Sequence, residues 1–582
     1  MAVVDRGVSI VTTTSSCEAA IARRIRHGRG LEPADLVIKG ARVLDIVTAT
    51  LFESDIAISG DTIVGVFADY EGRETIDGRG LTVVPGFIDA HLHIESSLLT
   101  PSEFERCVLP HGVTTAIWDP HEIANVLGAA GLDYALQTAE AAVMDIRVNL
   151  SSCVPASPLE TSGARLEVDD LLPFRGHPKV IGLAEFMNFP GVLGGDPGCL
   201  AKLAAFQSGH IDGHAPLLRG KDLNGYLSAG IRTDHEANNY DEAFEKLRKG
   251  MSVLIRESSI AKDLHALWRL ITPETSAFIG FCTDDRNPVE IAEEGHIDHM
   301  IRWTIAQGVE PAHVYRVASW GAANAFGLRD RGLVAPGKRA DLVLLSDYEG
   351  CRVEHVIAGG RLATPELFAS RVVTPPVGLD SMKAESVVAG DLVTRGGSGK
   401  RPVIGVVPGK IVTERLEVHL SAVDGIVAAD PANDVLAVAV VARHGVNRNI
   451  GRGFVSGFGL AKGAIASSVG HDSHNICVVG ASAEDMAAAV NRVIELGGGF
   501  VVAAGAEIHA ELALPLAGLM SLEPHEVVRE KLLVLRAAAS SLGCTLSEPF
   551  LQAAFLPLAV IPHLKLTDFG LVDVDKFEVI PS

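Results

Sequence analysis

The hydrophobic rhythm of the chain changes several times, and each change predicts a different architecture. From Ala34 the apolar positions fall in short runs, at Asp35–Lys39, Ala41–Val47, Ser54–Ser59 and Thr62–Phe67. The runs are rich in β-branched residues and Gly60-Asp61 supplies a turn, so they predict an antiparallel sheet of short strands. Between Leu81 and about Gly327 the texture is different. Apolar runs at Leu81–Ile88, Val113–Trp118, Val180–Glu185, His210–His214, Ile231–His235 and Ala277–Thr283 alternate with helix-length segments such as Leu132–Val143 and Tyr240–Lys249. Strand–helix alternation over this length predicts a (β/α)8, TIM-like barrel. Strand-like sequence returns at Arg339–Ser346 and Val353–Ala358, and from about residue 385 a separate α+β module follows. Its clearest helix starts at Ser482, where Ser482-x-x-Asp485 reads as a capping box, and stops at the run Gly497–Gly499. The first 30 or so residues lack periodicity and read as a short helical lead-in or a partly ordered arm.

Composition narrows the field without changing that outline. A chain of 582 residues is too long for one core, and 47% hydrophobic residues indicate well-packed domains. The 50 basic residues are outnumbered by 72 acidic ones, a net charge of −22. Such a surface repels nucleic-acid phosphates and anionic membranes, and no Lys/Arg cluster offsets it. Neither is an expected partner; a small substrate is. The eight cysteines are scattered, with no C-x-x-C pair, which suits a reducing cytoplasm. No signal peptide is legible around Val8–Val11, and the apolar stretch Leu551–Leu564 is too short and too broken by prolines to span a bilayer. A cytoplasmic location is expected.

The strongest chemical signal is Pro85-Gly-Phe-Ile-Asp-Ala-His91-Leu-His93. On a strand, residues i and i+2 project to the same side, so the two imidazoles converge. They follow an apolar run and so lie at its C-terminal end, where barrels carry their active sites. Two convergent imidazoles begin a divalent-metal site, although an H-x-H pair alone also occurs on surface turns. Further candidates each end an apolar run: Glu185, His214 (preferred to His210 as nearer its strand end), His235, and one of the adjacent acids Asp284 and Asp285, with Asp284 preferred. Alternation places Asp234 and Glu236 on the side opposite His235. Buried carboxylates ending apolar strands need a partner, and a metal supplies one.

Taken together, these segments resemble the amidohydrolase superfamily and, within it, the bacterial adenine deaminases. The resemblance extends over nearly the whole chain. Val84-Pro-Gly-Phe-Ile-Asp-Ala-His-Leu-His93 and Pro336-Gly-Lys-Arg-Ala-Asp-Leu342 mark the superfamily. Trp118-Asp-Pro-His-Glu-Ile-Ala-Asn125 and Gly470-His-Asp-Ser-His-Asn475 point to adenine deaminases. The resemblance implies a distorted barrel at residues 85–327 and a small β-sandwich domain from the flanking segments 34–84 and 328–384. An arm at 1–33 and a C-terminal α+β domain at 385–582 complete the expected organisation. It also implies two divalent metal ions, with His91 and His93 on one and His214 and His235 on the other. Imidazole and carboxylate ligands suit manganese, iron or zinc alike. Many relatives bridge the ions with a carboxylated lysine; here Glu185 takes that place, and Asp284 corresponds to the last-strand aspartate that contacts a metal and handles protons. Enzymes of this build are often dimers or larger, so a homo-oligomer is expected.

The reaction implied is hydrolysis of adenine to hypoxanthine and ammonia by a hydroxide activated between two cations, as in purine salvage. Asp284 is the expected base towards water. The mononuclear deaminases of the superfamily carry a Glu three residues after the fifth-strand histidine, and Leu217 stands there instead. Glu185 is therefore the leading donor to ring N1, with Glu122 and His121 as rivals. Asp119-Pro-His121-Glu122 either faces the pocket or merely starts a helix. His471 either sits in a solvent loop or closes the pocket over the purine. Competing readings are another amidohydrolase reaction on a cyclic amide, an N-acyl group or another 6-substituted purine, and a non-catalytic scaffold. A cytidine-deaminase-like site is excluded, because His93-Ile-Glu95 has no P-C-x-x-C to complete it.

Overall fold

The computed structural model of the chain describes residues 10–581. Within the expected arm, residues 1–9 lie outside that range, and a helix runs over Ile10–Gly28. The short-strand region forms one eight-stranded sheet from two distant segments. Ala34–Asp45 pairs antiparallel with Thr50–Ser59, and Thr82–Pro85 pairs antiparallel with Leu342–Asp347, which carries the sheet on to Arg352–Ala358. The chain thus leaves this sheet, builds the parallel strands described next and returns to the neighbouring strand.

The run Leu81–Ile88 is not one strand. Thr82–Pro85 belongs to the small sheet and Phe87–Leu92 to the barrel. Gly86 separates them, in a place where a Cβ would lie 2.1 Å from Thr114 Oγ1. Both halves are apolar because both are buried, so periodicity carries no mark of the break.

Eight parallel strands follow: Phe87–Leu92, Val113–Trp118, Asp145–Leu150, Val180–Phe186, His210–Gly213, Thr233–Asp234, Ser252–Arg256 and Ile279–Cys282. The first five hydrogen-bond in order and so do the last three. The two groups meet on both sides, through Arg232 N–H to Ile211 O at 3.0 Å and through Asp284 N–H to His91 O at 3.0 Å. The result is a parallel α/β barrel whose sixth strand has shrunk to two residues. Asp145–Leu150 and Ser252–Arg256 escape the sequence reading because charged residues open the first and close the second. Asp145 is held by Arg331 and Lys179 at 2.7 Å each, and Arg256 by carboxylates at the opposite end of the barrel.

The C-terminal part forms an eight-stranded sheet over residues 399–513 with helices Ala483–Glu495 and His525–Ser541. The side chain of Ser482 accepts the N–H of Asp485, so the helix starts where its cap predicts. This sheet does not stand apart. One apolar core runs from Phe87 and Trp118 of the barrel to Val438 and Val479. Polar ties join the two parts as well: Thr161 N–H to Asp568 at 2.8 Å, Asn475 Nδ2 to Thr161 O at 2.8 Å and Ser521 N–H to Leu98 O at 2.8 Å. No helix among the described residues is long and apolar enough to cross a membrane.

Candidate active site

The C-terminal ends of the barrel strands converge on one buried cluster. His91 and His93 arrive from the first strand, and their outer ring nitrogens are both fixed. His91 Nδ1 bonds Asp212 at 2.9 Å and His93 Nδ1 bonds the Asp119 carbonyl at 3.0 Å. Each ring therefore turns Nε2 towards Glu185, at 3.6 and 3.3 Å from Oε1. A second pair arrives from the fifth and sixth strands. His214 Nδ1 lies 2.6 Å and His235 Nε2 3.4 Å from the other oxygen, Glu185 Oε2. Glu185 thus stands between the two histidine pairs, one oxygen to each. Asp284 closes the group from the eighth strand, 3.2 Å from His93 Nε2.

These donors fit a divalent metal. His91 Nε2 is buried and has no hydrogen-bond partner, although carboxylate oxygens lie within 4 Å of it. The ligand atoms of His91, His93 and Asp284, and of Glu185, His214 and His235, each fall within 4.8 Å of one another. Such a buried gathering of acids is costly unless cations balance it. Without metal, protons do so. Burial alone would lower the His91 imidazole, but Asp212 and Glu185 outweigh it and carry it up to about 10. Against the same burial, Glu236 and Glu185 carry His214 up to about 9. In return, and despite burial, His214 and His235 hold Glu185 well below the usual carboxylate range.

Asp284 and Asp285 both line the cavity, and of the two it is Asp284 that lies against His91 and His93. Asp284 has φ of 56°, which ends the pleat and breaks the alternation that would have turned one acid away. Glu236 likewise faces the cavity, not the opposite side. The sixth strand ends at Asp234, and beyond it the rule of alternation no longer holds. Asp234 does turn outward, to Lys246 at 2.7 Å. Arg256 joins Glu236 to Asp284, at 3.0 Å from the latter, and no motif in the sequence singled it out. Asp212 was also missed, although it lies two residues before His214 on the same face. His210 turns to Thr233 at 2.9 Å, outside the cluster.

The remaining candidates gather on the other wall. Asp119 bonds His121 Nδ1 at 2.9 Å, and His121 and Glu122 open the helix His121–Leu127 while their side chains face the cavity. Both readings of that segment therefore hold at once. His471 is buried, with Nδ1 2.6 Å from Glu122 Oε1, and His474 Nε2 touches the other oxygen. Phe555 stacks on His471 with centroids 4.6 Å apart, and Ile411 and Leu558 complete an apolar rim. The cavity is thus walled by barrel acids and histidines below and by the C-terminal part above.

Comparison with known proteins agrees with this arrangement. Residues 82–363 match the amidohydrolase family, and residues 410–578 match the adenine deaminase C-terminal domain. Adenine deaminase of Methylobacterium nodulans is 63% identical over 563 residues, 97% of this chain and 100% of the relative. Adenine deaminase of Gluconobacter oxydans is 63% identical over 96% of this chain and 99% of the relative. Adenine deaminase 1 of Rhizobium meliloti is 62% identical over 96% and 99%. With a metal-ligating cluster at the mouth of the barrel and similarity from end to end, the chain belongs to the adenine deaminase family of metal-dependent amidohydrolases.

Proposed function

We propose that the chain hydrolyses adenine to hypoxanthine and ammonia at the cavity between barrel and C-terminal part. The observation that carries the reading is the placement of Glu185, with one oxygen on each histidine pair, beneath a cavity closed by His471. His91, His93 and Asp284 would hold one divalent ion and His214 and His235 a second, with Glu185 between them. Manganese, iron and zinc all suit these ligands. When bound, the ions supply the charge that makes a water molecule acidic near neutral pH.

The chain's own groups do the rest. Water forms the C6–O bond and the C6–N6 bond breaks, so its two protons must reach ring N1 and the departing amine. Asp284 takes the first proton and delivers it towards the amine. Arg256, against its second oxygen, keeps that carboxylate turned into the cavity. Both oxygens of Glu185 are engaged by imidazoles, so the Glu122–His471 pair donates the proton to N1 and takes up water's second proton in its place. Burial lowers His471, but Glu122 and Asp285 outweigh it and raise it to about 9, so the pair carries a proton at neutral pH. Asp119 holds His121 against the same wall. In this reading the small sheet formed by 34–84 and 328–384 is the sandwich domain, 85–327 the catalytic barrel and 385–582 the domain that roofs it.

Purified, metal-loaded protein incubated with adenine should release ammonia and hypoxanthine in equal amounts. Chromatography of the purines with an ammonia assay checks this, and no conversion would remove the proposal.

A further inference from the structure

Lys565 lies on the strand Leu564–Thr567 and is wholly buried, with no carboxylate bound to it among the described residues. Its Nζ donates to two backbone carbonyls, of Ile411 at 2.9 Å and of Phe555 at 3.0 Å. The side chains of these two residues line the cavity, and they come from segments more than 140 positions apart. Phe555 also caps the C-terminal end of the helix Pro549–Ala554, where backbone carbonyls lack partners within the helix.

We propose that Lys565 is a positioning residue that fixes the roof of the cavity by tying the Ile411 and Phe555 segments to one strand. A buried amine is a costly strut, and a Met or Leu of similar length would fill the space more cheaply. Burial without a counter-charge pushes the amine down to about 7. The two carbonyls are what the amine provides for. The same strand holds the two segments by other bonds, Thr413 Oγ1 to Leu564 O at 2.8 Å and Leu566 N–H to Leu556 O at 3.0 Å. Neither of those bonds touches the carbonyl of a lining residue. Phe555 in turn stacks on His471, so freeing its backbone would loosen the apolar roof over the bound substrate.

The inference rests on adenine binding in this cavity, and its test separates the two claims. Wild-type turnover of adenine is measured first; its absence overturns the function, not the lysine. Lys565→Met is then compared for KM, kcat, bound metal, melting temperature and hydrogen exchange over residues 409–413 and 553–558. Loss of two hydrogen bonds should raise KM roughly ten- to thirtyfold, with kcat within about threefold and metal unchanged. Exchange should quicken in both segments together. Lys565→Gln, which keeps two N–H donors, should recover part of the KM. An unchanged KM with unchanged exchange would overturn the role, as would kcat and melting temperature falling together with KM constant. Should Lys565→Met fail to fold, the same measurements on Lys565→Gln decide.

Discussion

Replacing Glu185 by Gln is the sharpest test of the bridge. The change keeps shape and volume but removes the charge that stands between two histidine pairs. The four imidazole nitrogens facing it lie 2.6–3.6 Å from its oxygens, so cations held by those imidazoles would lie beside its charge. At 4 Å and an effective dielectric constant of 20, two unit charges interact by about 4 kcal/mol. That corresponds to roughly a thousandfold in metal affinity, and a divalent ion deepens the loss. The Gln variant should therefore lose its metal on dialysis against a chelator that wild-type withstands, and its melting temperature without metal should fall. The fall follows because the protonated histidines of the empty cluster lose the carboxylate that balances them. Metal analysis and calorimetry of both proteins check the two statements. Full metal content in the dialysed variant would refute the assignment of Glu185 as the bridge.

Metal uptake should release protons. The metal-free imidazoles of His91 and His214 are raised to about 10 and 9, so both carry protons at pH 7.5 that a cation must displace. Titration calorimetry in buffers of different ionisation enthalpy measures the number, and none released would contradict the ligand set. His471→Asn should lower kcat/KM for adenine roughly thirtyfold at unchanged metal content, from about 2 kcal/mol for a lost charge-assisted contact with Glu122. The pH dependence of stability follows the same contact. With its folded pKa raised to about 9, His471 contributes stability fully present below about pH 6.5 and lost as pH rises through 9. Melting temperatures of wild-type and His471→Asn should converge above that pH; parallel curves would count against it.

Much of this protein is determined by sequence alone, because buried strands and their ends leave local marks. The parallel strands Val113–Trp118 and Val180–Phe186 are continuous apolar runs, as burial on both faces requires. Residues placed just after such runs, His91, His93, Glu185, His214, His235 and Asp284, are brought to one point by the barrel's geometry. Where charge stands at a strand's end, as at Asp145 and Arg256, or an apolar run continues across the break between two sheets, as at Gly86, local pattern has nothing to report. Glu236 and Asp285 face the cavity because pleating stops short of them, a fact of backbone conformation invisible to periodicity. The C-terminal contribution was decided only in three dimensions. His471, Phe555 and Ile411 reach the cavity across sequence separations that no local rule bridges, held there by a shared core and by a lysine whose value lies in two distant carbonyls.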